Sequence, residues 1–113
     1  MVLFELWYDW KRNELTRMND TINKNLTLIQ EVATKALEEL KNSTERFGGV
    51  NYANLRVVDV WVKYSIHEED LEYGVLIEEC SPTAYDFQDY MLEYLKDNLP
   101  NNLGWGIYVE LDW

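Results

Sequence analysis

The sequence predicts an α+β domain in which two helices cover one face of a four-stranded antiparallel sheet, in the order β-α-β-β-α-β. Segments with alternating apolar residues, which are typical of strands, occur at both ends of the chain and twice in its centre. Two segments with apolar residues at intervals of three and four, typical of helices, separate them. With 113 residues, 47% of them hydrophobic, the chain is expected to form a single domain, residues 1–113, around one core.

Residues 2–10 are predicted to form the first strand, because apolar residues recur at every second position. Val2, Phe4, Leu6, Tyr8 and Trp10 would share one face, and Leu3, Glu5, Trp7 and Asp9 would share the other. A helix is the alternative, since no proline or glycine separates this segment from the helix that follows it.

The first helix is predicted from one apolar stripe at helical spacing. The stripe consists of Leu15, Met18, Ile22, Leu26, Ile29, Ala33, Ala36, Leu37 and Leu40. Asn13 or Asp20 could cap the start of this helix, and Phe47, Gly48 and Gly49 are expected to end it.

The two central strands, residues 54–66 and 72–80, are predicted to form a hairpin around the polar turn that begins at His67. In the first of these strands, Val58, Val60, Val62, Tyr64 and Ile66 are expected to face the core, with Val57, Asp59, Trp61, Lys63 and Ser65 pointing outward. In the second, Tyr73, Val75 and Ile77 point inward, and Glu72, Leu76 and Glu78 point outward.

Residues 81–99 are predicted to form the second helix, with Ser81 as its N-cap and Pro82 in its first turn. Its apolar stripe is Phe87, Met91, Leu95 and Leu99, and its solvent side carries Asp86, Asp89 and Glu93. The segment from Pro100 to Gly104 breaks the helix before the last strand. In that strand, Ile107, Val109, Leu111 and Trp113 face the core, and Tyr108, Glu110 and Asp112 face away from it. This order of elements predicts a ferredoxin-like sheet with one face left uncovered by helices.

The acidic charge is concentrated in the second half of the chain. The formal net charge is −11: residues 1–63 hold nine acidic and nine basic residues, and residues 64–113 hold twelve acidic residues and one basic residue, Lys96. Phosphate groups are held by basic surfaces, so this distribution argues against nucleic acid and against an anionic membrane as partners. It is compatible with a basic protein partner, with metal ions or with solubility alone.

A cytoplasmic location is expected. The N-terminal apolar run lacks a basic region and contains Glu5 and Asp9, which is unlike a signal peptide, and no stretch approaches the length of a membrane span. Cys80 is the only cysteine, so no internal disulfide can form. It is expected to be a packing residue at the end of a strand.

Neither catalysis nor a cofactor is expected. His67, Glu68, Glu69 and Asp70 could attract a hard cation, but consecutive turn residues rarely converge on one ion and the chain has no second histidine. No nucleophile motif surrounds Cys80, and no glycine-rich phosphate loop is present. The twenty-one acidic residues make any single carboxylate pair uninformative. We predict a protein that is not an enzyme and binds no metal or cofactor.

The uncovered sheet face is predicted to combine aromatic and acidic residues. Tryptophan and tyrosine are favoured anchors in protein interfaces, and carboxylates steer a basic partner toward them. The residues predicted to contact such a partner are Glu5, Trp7, Asp9, Asp59, Trp61, Glu78, Tyr108, Glu110 and Asp112. The acidic side of the second helix, with Asp86, Asp89 and Glu93, is the alternative surface. A register shift of one residue would exchange the two faces of the sheet.

The chain resembles the small cytoplasmic immunity proteins that neutralise bacterial toxins, including those of contact-dependent growth inhibition systems. The resemblance rests on size, acidity, a single reduced cysteine, and aromatics interleaved with acids in the segments ELWYD, VDVWVK and YVELDW. These proteins share no common motif, so no residue role is transferred. The resemblance implies a monomer, or a 1:1 complex, that inhibits a basic nuclease toxin, most simply an RNase, by covering its active site or substrate groove.

Two other functions are compatible with the sequence. A protein that mimics the charge of DNA could block a nuclease or a restriction enzyme, although such a mimic would carry few aromatic residues on its acidic surface. A homodimeric regulatory domain that binds a small ligand would instead pack Trp7 and Trp61 against a second copy. The mass of the protein in solution would distinguish the dimer from the other two.

Overall fold

A three-stranded mixed sheet and three helices form the fold of the residues that the structure, a computed structural model, describes, namely 8–66 and 70–113. In chain order the elements are helix α1 (Tyr8–Asn42), strands β1 (Arg56–Ser65) and β2 (Asp70–Glu78), helices α2 (Tyr85–Asn98) and α3 (Asn101–Gly104), and strand β3 (Tyr108–Asp112). Strand β2 is central: it pairs with β1 in the antiparallel sense and with β3 in the parallel sense.

The predicted four-stranded antiparallel, ferredoxin-like sheet is wrong, although the structure is α+β. Tyr8, Asp9 and Trp10 lie in α1, as in the helical alternative, and residues 2–7 of the predicted first strand lie outside the described residues. Strand β3 pairs directly with β2 in the parallel sense, so the sheet is mixed and not antiparallel. The connection through α2 and α3 is long enough for the crossover that parallel neighbours require.

Helix α1 is longer than predicted at its start and shorter at its end. It begins at Tyr8, before Asn13 and Asp20, and its 35 residues account for most of the 54 Å length of the molecule. It ends at Asn42, ahead of the glycine pair. There the Ser43 hydroxyl donates to the Leu40 carbonyl at 2.8 Å, and the Arg46 guanidinium donates to the carbonyls of Ser43 (2.9 Å) and Leu40 (3.4 Å). These bonds satisfy carbonyls that lose their helical partners at a C-terminus.

Helices α1 and α2 cover the same face of the sheet, here called the inner face. The predicted stripes of both helices are buried from Ile29 onward, and Val75 and Ile77 of β2 are fully buried beneath them. Val109 and Leu111 of β3 complete this layer. The core therefore lies between the two helices and one side of the sheet.

A β-bulge in β1 changes which residues face the core. Val57 pairs with Ile77 and Asp59 with Leu76, so Val58 is an extra residue in the ladder. Val57, predicted to point outward, packs against the core, and Val58, predicted to point inward, is exposed. Tyr64 and Ile66, also predicted to face the core, are 59% and 81% exposed.

Helix α2 begins later than predicted. Ser81 and Pro82 precede it in a turn, in which the Thr83 N–H donates to Ser81 Oγ at 3.2 Å and the Ala84 N–H donates to the Ser81 carbonyl at 3.0 Å. Helical structure starts only at Tyr85. The break at Pro100 is followed by the short helix α3, which was not predicted.

Candidate protein-binding face

The sheet face opposite the helices, here called the outer face, is arranged in five rows across the strands. Because paired residues point to the same side of a sheet, the strand register defines these rows. They are Lys63–Glu72, Trp61–Gly74–Tyr108, Asp59–Leu76–Glu110 and Arg56–Glu78–Asp112, with Ser65–Asp70 as the fifth row beyond Lys63–Glu72. No helix of the described chain packs on this face, since both long helices lie against the inner residues of the same strands.

An aromatic pair lies at the centre of the second row. The rings of Trp61 and Tyr108 stack with their centroids 5.9 Å apart and an angle of 24° between their planes. Trp61 reaches across Gly74, where a Cβ atom would overlap its six-membered ring. A glycine inside a central strand permits this close approach, so Gly74 determines where the indole lies.

Lys63 and Glu72 border the aromatic pair. The Lys63 ammonium lies 5.4 Å from the Trp61 ring centroid, 5.9 Å from the Tyr108 centroid and 3.8 Å from Glu72 Oε2. The Tyr108 hydroxyl donates to the other carboxylate oxygen, Glu72 Oε1, at 3.3 Å. The four side chains thus form one connected cluster toward one end of the face.

Carboxylates outnumber cations on the outer face. Six acidic residues, including Asp70 at the start of β2, share it with two basic ones, Arg56 and Lys63, so the face carries a net charge of −4. Arg56 forms an ion pair with Glu78 at 2.9 Å. Asp59 and Glu110 are exposed on either side of Leu76, immediately beside the aromatic row. The surface is therefore apolar at its centre and anionic around it.

The structure brings six of the nine predicted contact residues onto this face. They are Asp59, Trp61, Glu78, Tyr108, Glu110 and Asp112. Asp9 lies in the first turn of α1 and is not on a strand, because the first strand was predicted wrongly there. Glu5 and Trp7 lie outside the described residues.

Sequence reasoning missed Arg56 and Gly74 on this face. Arg56 lies upstream of the bulge, which reverses the alternation on which the assignment depended. The signal for Gly74 was present in the sequence, since an isolated glycine in a strand often marks a close approach by another group.

The alternative acidic surface lies on the other side of the molecule. Asp86, Asp89 and Glu93 are exposed on α2, as the sequence predicted, and Lys96 approaches Glu93 at 3.9 Å. Tyr85 is exposed near the start of the same helix. No stacked aromatic pair accompanies these acids among the described ring contacts, so the outer face is the stronger candidate.

Cys80 is a packing residue, as predicted. It is fully buried just after β2, with its thiol 3.4 Å from the Ile77 carbonyl. Burial raises the pKa of this thiol from its usual value of 9.0 to about 11, so it stays protonated and weakly nucleophilic at neutral pH. Within residues 8–66 and 70–113, no three His, Cys, Asp or Glu side chains lie close enough together to hold a metal ion. His67, Glu68 and Glu69 lie outside the described residues.

The chain matches no protein-family model, and no curated protein or solved structure is detectably similar to it. The likeness to immunity proteins therefore stays an expectation from sequence character. None of the described helices combines the length and apolar character needed to cross a membrane.

Proposed function

We propose that this protein binds a basic protein through its outer face, and that it acts as an immunity protein that inhibits a nuclease toxin. The observation that carries the proposal is the stacked Trp61–Tyr108 pair, which lies beside exposed Asp59 and Glu110 on the side of the sheet away from the helices. Binding, and not catalysis, is the proposed mode of action.

An apolar centre with an anionic surround suits a basic protein partner. Large aromatic side chains at the centre of an interface supply most of the binding energy when a partner covers them. Carboxylates around them raise the association rate of a cationic partner and reject an anionic one. The net charge of −11 for the whole chain adds a long-range attraction for the same cationic partner.

A nuclease is a chemically suitable target for such a face. An enzyme that cleaves RNA or DNA must hold phosphates, so its substrate groove is basic. An acidic protein that occupies the groove excludes the nucleic acid without any chemical step. In this proposal Asp59, Glu78, Glu110 and Asp112 meet Lys, Arg or His side chains of the toxin, and Trp61 and Tyr108 supply the apolar contacts.

The proposal expects a toxin-like domain to be encoded next to the gene of this protein. It is tested by calorimetric titration of the purified protein with that domain, at low and high salt. We expect 1:1 binding that weakens as salt rises. Glu110→Lys should weaken binding about tenfold or more, whereas the same charge reversal at exposed Glu38 on α1 should change it about twofold or less. Trp61→Ala, checked for folding by circular dichroism, should behave like Glu110→Lys.

Three results would contradict the proposal. Equal effects of Glu110→Lys and Glu38→Lys would exclude the outer face as the contact surface. A weaker complex after charge reversal at Asp89 would favour the surface of α2. A stable homodimer by light scattering, lost in Trp61→Ala, would favour the self-associating domain over the inhibitor.

A further inference from the structure

We infer that Trp61, Tyr108 and Glu72 form a cation site on the outer face, that Lys63 fills it in the free protein, and that an arginine of the partner replaces Lys63 there. The inference rests on the proposed function, because it names the chemistry by which the same face would recognise a basic protein. It also gives a role to Lys63, whose positive charge would repel a basic partner. Because Lys63 lies at the edge of the cluster, its ammonium group can leave the rings when the partner binds.

Lys63 is held loosely in this site. Cation–π contacts extend to about 6 Å from a ring centroid, and the Lys63 ammonium lies 5.4 Å and 5.9 Å from the two rings. Its distance of 3.8 Å from Glu72 is longer than the roughly 2.8 Å of a charge-assisted hydrogen bond. The Lys63 side chain is 64% exposed. Its ammonium can therefore move into water with little loss.

Glu72 is the opposite case, because its side chain is only 14% exposed. A carboxylate removed from water to this degree is stabilised by short hydrogen bonds. Among residues 8–66 and 70–113, its polar contacts are the Lys63 ammonium at 3.8 Å and the Tyr108 hydroxyl at 3.3 Å. Glu72 thus has the capacity to accept stronger donors than it has in the free protein.

A guanidinium group fits this site better than an ammonium group. It is planar, so it can stack on the Trp61–Tyr108 pair, and its paired N–H groups can bond a carboxylate at two oxygens. An ammonium is more strongly hydrated and offers no flat surface. Exposed Asp59 and Glu110, two rows from Lys63, would draw the incoming cation toward the rings.

Arg56 provides a matched control. It lies on the same face and its loss changes the charge by the same amount, but its partner is Glu78, at the opposite end of the face from the site. Lys63→Gln and Arg56→Gln therefore each remove one positive charge and release one carboxylate. Only Lys63→Gln also removes a cation from the two aromatic rings.

The experiment measures binding of octa-arginine and octa-lysine peptides to the wild-type protein and to both variants by calorimetry at low salt. We expect Lys63→Gln to tighten octa-arginine binding about fivefold more than Arg56→Gln does. The affinity for octa-lysine should rise equally in the two variants, because a lysine peptide responds only to the change in charge. In ¹⁵N spectra, octa-arginine should shift the Trp61 indole N–H signal, and Lys63→Gln with Tyr108→Leu should abolish the arginine preference.

The inference would be overturned if the affinity for octa-arginine rose equally in the two variants, or if Lys63→Gln bound octa-arginine more weakly than the wild-type protein does. Thermal unfolding of each variant identifies any loss of binding that comes from loss of fold. The peptide result is independent of the toxin. An arginine preference at Lys63 without toxin binding would leave the cation site standing and remove the proposed function, whereas toxin binding without that preference would do the reverse.

Discussion

The inner and outer faces of the sheet use the same strands for different purposes. On β2, Val75 and Ile77 are fully buried beneath two helices, while Leu76 between them lies half-buried between two carboxylates. The residues of the inner face are shielded from water by the helices, so they contribute mainly to the stability of the fold. On the outer face none of the described helices packs, and its aromatic pair is apolar surface that a partner can contact. Substitutions on the two faces should therefore affect different measurements.

The largest expected difference is between neighbouring residues of β2. Ile77→Ala should lower the free energy of unfolding by about 3 kcal/mol, because it removes a fully buried side chain and leaves a cavity. Leu76→Ala should lower it by about 1 kcal/mol, since the lost surface is already partly in water. Urea unfolding followed by circular dichroism measures both. Equal losses would mean that the outer face is packed as firmly as the core.

A smaller effect is expected at Gly74, where the fold and the outer face meet. In Gly74→Ala the new methyl group overlaps the Trp61 ring, so the indole must leave the strand surface. We expect a loss of about 1–3 kcal/mol in unfolding free energy, together with a shift of the Trp61 indole signal in ¹⁵N spectra. Gly48→Ala is the control, because a Cβ atom there meets no other atom within 4 Å. A neutral Gly74→Ala would contradict the described position of Trp61.

The sequence predicted the faces of β2 correctly, because strict alternation leaves only one way to bury Tyr73, Val75 and Ile77. In the last strand it was right for Val109 and Leu111 and wrong for Trp113, which follows the end of β3 and is 64% exposed. It failed in β1. The consecutive apolar residues Val57 and Val58 fit either face, and only pairing with β2 reveals that one of them is an extra residue in the ladder.

The prediction of a strand at the start of the chain was wrong for a different reason. The residues Tyr8–Trp10 belong to an alternating pattern and also lead without interruption into the stripe of α1. Local pattern cannot decide between a strand and one more turn of an existing helix, since extending a helix has a low cost and an edge strand needs a partner.

The composition of the outer face was predictable, but its arrangement was not. Acids and aromatics at alternate positions indicated which residues would share the surface. The contact between Trp61 and Tyr108 depends on both strands being in register with β2, and residues far apart in sequence give no local signal of that.

The smallest expected effect is at the Arg56–Glu78 ion pair. Its atoms are 2.9 Å apart, but the Arg56 side chain is 57% exposed, and exposed pairs of this kind contribute about 0.5 kcal/mol. Arg56→Gln should lower the free energy of unfolding by no more than that at low salt and by nothing measurable at about 1 M salt. Urea unfolding at the two salt concentrations measures the difference. A loss of about 2 kcal/mol that persists in high salt would show that Glu78 is desolvated and that the outer face contributes to stability as the core does. The small loss expected here is what makes Arg56→Gln a suitable control for Lys63→Gln, because it changes the charge of the face while leaving the fold in place.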